Sequence, residues 1–234
     1  MSAGRVVHES RSRLSGLIRV VETRQERRLI VAGEVCSAVP VNGDWARLRR
    51  EYWWHALAGL PLPRRPRVLF VGLGGGTQVH LLHRLARPRL VTVIERDPAI
   101  IRIAERWFGL APLGPFEYLC ADAMDAVTAL ARLRRQFDFV MEDAAYGDTP
   151  DRSRPLALAL PALVALGGAL VINRHRRGDA GELAPLLRPH FKSVTLRRVR
   201  REGENVLVRC LAPRRGPPRG PRARRPRLTS SPAE

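Results

Sequence analysis

Residues 67–97, RVLFVGLGGGTQVHLLHRLARPRLVTVIERD, constrain this chain more than any other stretch. Arg67 to Val71 is a branched, apolar run too short for a helix, and Gly72-Leu73-Gly74-Gly75-Gly76 follows it without a break. That pattern predicts a buried parallel strand entering a tight turn. Thr77 stands where it can cap the next helix, whose apolar positions Val79, Leu81, Leu82 and Leu85 stop before Pro88. Leu90 to Ile94 makes a second strand, which ends on Glu95. Strand, glycine turn, helix, strand and terminal acid in this order predict an α/β fold on a parallel sheet.

The same stretch carries chemistry. Glycines let the backbone turn sharply and let a ligand approach the helix N-terminus without meeting a Cβ. Glu95 lies 23 residues beyond Gly72, where a carboxylate at the tip of the second strand can take both hydroxyls of a ribose. Two ligand classes fit: dinucleotides, with a GxGxxG turn, and S-adenosylmethionine, whose transferases commonly show GxGxG. Gly72, Gly74 and Gly76 match GxGxG, and Thr77 stands where the third dinucleotide glycine belongs. The turn therefore favours S-adenosylmethionine, against the alternatives of a dinucleotide or a turn that only packs.

Around this unit the chain divides into four parts. Residues 1–43 read as a β-meander, with pieces at Gly16–Val21, Arg28–Ala32 and Val35–Val39; it serves either as a lid or dimer contact or in holding substrate. Residues 44–66 read as a helix with Asp44 as N-cap and a proline-rich linker, on which Trp53, Trp54 and His55 suit packing better than adenine stacking or proton transfer. Residues 67–210 form the Rossmann-like domain, in which helices over 98–108, 124–133, 151–166 and 179–189 alternate with strands over 116–120, 137–141 and 168–173. Two further strands, over 191–198 and 205–210, make a terminal hairpin around Arg201-Glu202-Gly203-Glu204. Residues 211–234 read as a disordered Arg/Pro-rich tail.

Two strand tips add candidates. Asp122-Ala123 follows the third strand, where a carboxylate and the next backbone N–H can pair with adenine, and where Asp122 can equally cap the following helix. Glu142-Asp143 ends the fourth strand, and ligands collect outside the carboxyl ends of strands beside the switch point of such sheets. Asp143 is thus the first candidate for chemistry, to accept a proton from an attacking amine or to hold the positive part of the cofactor. Alternation turns Glu142 the other way.

The formal charge is +19, but Lys192 is the only lysine among 41 basic residues, so coding bias explains part of the arginine content. Residues 211–234 hold seven arginines and one glutamate, or +6, which leaves +13 on the folded part. Attraction to an acidic partner such as nucleic acid stays open. Cys36, Cys120 and Cys210 are odd in number and form no CxxC pair, which excludes a disulfide frame or a zinc site and suits a reducing, cytoplasmic compartment. The charged stretch from Arg5 to Arg13 is no secretory signal. The uncharged run 155–172 is broken by Pro161 and Gly167-Gly168 and suits a helix and a strand better than a membrane span.

With these pieces placed, residues 12–210 resemble the spermidine synthase family, a branch of the class I S-adenosylmethionine-dependent transferases. The likeness rests on VLFVGLGGGT, VTVIERDP, CADAMD, FDFVMEDA and LGGALVIN. It implies a small N-terminal β-domain followed by a Rossmann-like seven-stranded methyltransferase sheet, often as a homodimer. It makes Glu95 the ribose ligand, Asp122 and Ala123 the adenine contacts, Gly72, Gly74, Gly75 and Gly76 the cofactor turn, and Asp143 the counterpart of the aminopropyl-transferring proton acceptor. Three departures stand out. Gly75 replaces the aspartate of the GGGDGG turn of polyamine-forming members, Tyr146-Gly147 replaces the second acid of their DxxDP pattern, and Arg50-Glu51-Tyr52-Trp53 does not clearly reproduce their Tyr-His-Glu cluster. A polyamine is a chain of ammonium groups, and losing two acids from its cleft weakens its binding. The resemblance therefore points to the spermidine synthase-like proteins that share the GLGGGT turn and resemble methyltransferases, with a small-molecule acceptor. The alternatives are an aminopropyltransferase using decarboxylated S-adenosylmethionine and putrescine, with Glu142 or Asp148 standing in for the missing acids, and a non-catalytic basic binding module.

Overall fold

A computed structural model describes residues 4–144, 150–200 and 204–214. Strands β1 (Arg5–Ser12), β2 (Gly16–Glu22), β3 (Glu26–Val31) and β4 (Glu34–Pro40) form an antiparallel sheet in that order. The sequence shows only three of these strands. β1, RVVHESRS, is an edge strand with no fully buried residue, so it has no apolar alternation to read. Ile18, Val20 and Leu29 of the inner strands are wholly buried.

The helix expected after Asp44, ahead of the proline-rich linker, is two pieces. Asp44 does cap the first, a 3-10 turn over Trp45–Arg50, by accepting from the Ala46 N–H at 3.2 Å. Glu51 then adopts extended backbone (φ −90°, ψ 155°), and α1 (Tyr52–Leu57) starts afresh.

The main sheet holds β5 (Arg67–Val71), β6 (Leu90–Ile94), β7 (Phe116–Leu119), β8 (Phe137–Glu142), β9 (Val164–Arg174), β10 (Phe191–Arg200) and β11 (Glu204–Pro213), in the order β10-β11-β9-β8-β5-β6-β7. β5 to β9 run parallel, and β11 is antiparallel to both β9 and β10. The chain leaves β5 toward β6 on one side and returns to β8 on the other, so the switch point lies between the tips of β5 and β8.

Helices α2 (Thr77–Ala86), α3 (Pro98–Phe108), α4 (Ala123–Arg132), α5 (Pro150–Ala159) and α6 (Arg177–Leu187) flank the sheet. Because side chains alternate along each strand, the sheet feeds two apolar layers. Phe70, Phe139, Met141, Val171 and Leu207 pack with Val79 and Leu82 of α2, Ile103 of α3 and, without a break, Ile18 and Leu29 of the N-terminal sheet. Leu69, Val71, Val140, Ile172 and Val208 pack on the other face with Val127, Leu156 and Leu183 of α4, α5 and α6. Each such side chain, fully buried, contributes roughly 1.5–3 kcal/mol.

Two strand boundaries of the main sheet move by three residues or more. β9 begins at Val164, four residues early, and passes through Gly167 at φ +81°. β11 continues to Pro213, beyond residue 210, because its pairing with β10 reaches Phe191. The run 155–172 falls on α5, a 3-10 turn over Leu160–Leu163 and β9, and no helix among the described residues is long and apolar enough to cross a membrane. Tyr146, Gly147, Asp148, the turn residues 201–203 and residues 215–234 lie outside the described residues.

Candidate cofactor and catalytic site

The glycine turn after β5 is finished by contacts from elsewhere in the chain. Gly72 has φ +89°, and a Cβ there would stand 2.8 Å from the carbonyl oxygen of Asp143. Thr77 does not cap α2; Gly76 occupies the cap position in the left-handed region, and the threonine hydroxyl turns to β4. Its Oγ1 accepts from the Ala38 N–H at 3.1 Å and donates to the Ala38 carbonyl at 3.0 Å. Ser37 Oγ accepts from the Gly75 N–H at 2.6 Å.

The N-terminal sheet is thus hydrogen-bonded to the turn. A Cβ on Gly74, Gly75 or Gly76 would meet Ser37, the Phe108 ring or Leu110 within 3 Å. These three glycines clear protein groups, where the sequence suggests clearance for a ligand.

Glu95 follows β6 with its carboxylate against the turn. Oε2 accepts from the Leu73 N–H at 3.2 Å and Oε1 from the Asp97 N–H at 3.0 Å. Burial pushes its carboxyl above the usual range, while those two N–H groups pull it back. Each oxygen keeps acceptor capacity for a hydroxyl donor. Next to it Asp97 caps α3 through the Ala99 N–H at 2.9 Å and accepts from Ser15 Oγ, in the β1–β2 turn, at 2.5 Å. Pro98 marks this helix start in the sequence, and the aspartate before it is the signal for the cap.

Asp122 caps α4 through the Met124 N–H at 2.9 Å, and its other oxygen pairs with Arg152 of α5 at 2.9 Å. Ala123 is the first residue of that helix.

Asp143, just past β8, is the centre of a polar cluster. Its Oδ2 accepts from the Tyr52 hydroxyl at 2.8 Å and from Gln78 Nε2 at 3.4 Å, and its Oδ1 accepts from Asn173 Nδ2 at 2.8 Å. Burial pushes its carboxyl up to about 6 against the opposing pull of Asn173 and Tyr52. Burial and the neighbouring carboxylate push the Tyr52 hydroxyl well above its ordinary value. Glu142 points to the opposite face as alternation predicts, wholly buried and ion-paired with Arg174. Tyr52, Gln78 and Asn173 escaped the sequence reading because a lone tyrosine and two amides on three separate elements carry no spacing signal.

One cavity of about 690 Å³ brings the candidates together: Gly72, Gly74, Gly76, Glu95, Asp122, Ala123 and Asp143 all line it. Gly75 is outside the lining, turned toward Phe108. The size suits a nucleoside-bearing ligand. The donor set fits one too, since the cavity is lined by a carboxylate with open acceptor positions, a glycine turn and Asp143.

No protein-family model matches the chain. Among curated proteins, the eEF1A lysine and N-terminal methyltransferase of Bos taurus is 30% identical over 119 residues, 47% of this chain and 17% of that protein. The human protein of that name is 28% identical over 152 residues, 60% of this chain and 21% of that protein. The polyamine aminopropyltransferase of Vibrio vulnificus is 31% identical over 121 residues, 50% of this chain and 40% of that protein. The chain therefore spans less than half the length of each of these relatives.

Among solved structures, human methyltransferase-like protein 13 in complex with SAH superposes with TM-score 0.60 at 23% identity, covering 69% of this chain and 82% of that one. Spermidine synthase from Thermotoga maritima gives 0.65 at 15% identity, covering 88% and 72%. The chain shares its fold with both the methyltransferase and the spermidine synthase structure.

Proposed function

We propose that the chain is an S-adenosylmethionine-dependent methyltransferase of spermidine synthase-like architecture, with Asp143 taking the proton of an attacking amine. The observation that carries this reading is the company Asp143 keeps. Its donors Tyr52, Gln78 and Asn173 are uncharged. Glu142 faces away, and Gly75 faces Phe108. Among the described residues the site thus supplies one carboxylate that titrates near working pH, as a general base needs, and no second carboxylate shares its donors Tyr52, Gln78 and Asn173 to hold the far ammonium of a polyamine.

Glu95 would hold the ribose hydroxyls, the N-terminal end of α4 at Asp122 and Ala123 the adenine, and the turn backbone at Gly72 and Gly74, which lines the cavity, would face the rest of the cofactor. When bound, S-adenosylmethionine supplies a methyl group on a sulfonium, already a good leaving group, so positioning does most of the work. Tyr52 and Asn173 fix the direction of the Asp143 lone pairs.

The similarity to methyltransferases named for lysine and N-terminal modification agrees with an amine acceptor. Aminopropyl transfer is the second reading, supported by the 31% identity to the Vibrio vulnificus enzyme. Calorimetric titration with S-adenosylmethionine, its decarboxylated form and putrescine separates the two. The expected result is binding of the carboxylated cofactor, weakened by about tenfold or more in Glu95→Ala, with putrescine silent. Preference for the decarboxylated form together with putrescine binding would replace methyl by aminopropyl transfer. Silence from all three would refute both enzyme readings.

A further inference from the structure

Three neighbouring strands carry a polar chain that leads away from Asp143. Alternation puts Asp143 on the same sheet face as Met141, Asn173 on that of Val171, and Asn205 on that of Leu207; all belong to the layer that packs toward α2 and the N-terminal sheet. Asn173 Nδ2 gives one hydrogen to Asp143 Oδ1 at 2.8 Å and one to Asn205 Oδ1 at 2.9 Å. The oxygen of the Asn173 amide is buried without a partner, in a residue only 5% exposed.

An orphaned amide oxygen is unfavourable, so something must hold the amide with its nitrogen toward Asp143. Two acceptors do so, one on each N–H. Rotating the amide would set its oxygen against the carboxylate and against the Asn205 oxygen at once. With Asn205 removed, only Asp143 itself would oppose the rotation.

We propose that Asn205, at the start of β11, is a positioning residue for the reaction: by accepting the second N–H of Asn173 it keeps that amide's donor aimed at Asp143 and so keeps Asp143 an ionised proton acceptor. This rests on the role given above to Asp143. The other groups facing Asp143 are Tyr52 from α1, Gln78 from α2 and Cys36 from β4, with Arg174 and Glu142 on the strands beside it. Burial pushes the Cys36 thiol up to about 11 and the Tyr52 hydroxyl well above its ordinary value, so neither ionises where Asp143 does. Glu142 is pushed upward by burial and pulled back by Arg174.

The test is a carbon-detected NMR titration of side-chain carboxyls, with the Asp143 resonance assigned through Asp143→Asn and so separated from Glu142. Asn205→Leu should raise the Asp143 midpoint by about one unit, since a donor to the charged form is loosened. In an Asn173→Leu background the same substitution should move it no further, because its path to Asp143 is gone. An unchanged midpoint in Asn205→Leu, or an equal shift in both backgrounds, would overturn the proposal; Asn205→Ala gives the same reading if the leucine variant folds poorly. Neither cofactor nor acceptor enters the measurement, so the positioning role can fail while cofactor binding stands, and the reverse.

Discussion

Asp143→Asn should abolish transfer and yet stabilise the protein above neutral pH. In the fold the Asp143 carboxyl titrates at about 6, against an ordinary value of 3.8, chiefly because burial disfavours its charge. Between those values the folded protein holds a proton that the unfolded chain has released. Stability is therefore highest below 3.8, declines as pH rises through 6, and stays reduced above it. A difference of about two units corresponds to roughly 3 kcal/mol of lost stability at pH 8.

An asparagine has nearly the same shape and no charge to desolvate. Its oxygen can accept from Asn173, and its amide nitrogen can donate to the Tyr52 oxygen once that hydroxyl turns. The variant should thus gain up to about 3 kcal/mol at pH 8, or roughly 6–12 °C in melting temperature for a domain of this size, and less than about 1 kcal/mol at pH 4, where Asp143 in the folded wild type is protonated and only the unfolded chain has begun to ionise. Thermal unfolding of both proteins from pH 4 to 8 measures the difference. A variant less stable than wild type at pH 8, or a gap that does not change with pH, would refute the reasoning.

Two further substitutions test the surroundings. Arg174→Leu strands Glu142, which is 0% exposed, and should cost about 3–5 kcal/mol at pH 8. The loss should shrink toward pH 5 as the orphaned carboxyl takes up a proton, and melting curves at the two pH values check it. Gly75→Asp returns to the turn the acid of the polyamine-forming pattern, but its Cβ would stand 2.9 Å from the Phe108 ring. It should lower the melting temperature without creating putrescine binding, and a heat of putrescine binding in that variant would show that the turn rearranges.

The parts of the fold legible in the sequence are those in which a local pattern decides the structure. β5, the glycine turn and β6 are one continuous signal, and Asp122 and Asp143 follow from their places at strand tips. β1 was illegible because this edge strand has no fully buried residue and no period in its hydrophobicity. The helix expected after Asp44 was misread because Trp45, Leu48 and Tyr52 keep helical spacing on either side of the break at Glu51, which periodicity cannot sense. The partners of Asp143 come from positions 52, 78 and 173. Only the folded sheet brings them to one place.

The boundary between the meander and the Rossmann-like part is also a property of sequence more than of packing. Ile18, Val20 and Leu29 share one apolar cluster with Phe70, Val79 and Phe139. The hydrogen bonds that close the glycine turn come from Ser37 and Ala38 of β4, and Ser15 reaches the Asp97 cap beside Glu95. A Rossmann-like sheet commonly completes its own phosphate or nucleoside turn with the following helix. Here the helix cap is a glycine in the left-handed region, and the threonine that sequence assigns to capping spends its hydroxyl on β4. The N-terminal sheet therefore acts as a wall of the glycine turn, and the spacing of Gly74 and Gly76 has to satisfy Ser37 and Leu110. Of the two roles that sequence leaves open for the meander, lid or dimer contact and substrate holder, the turn contacts add a third: it sets the shape of the turn before any ligand arrives.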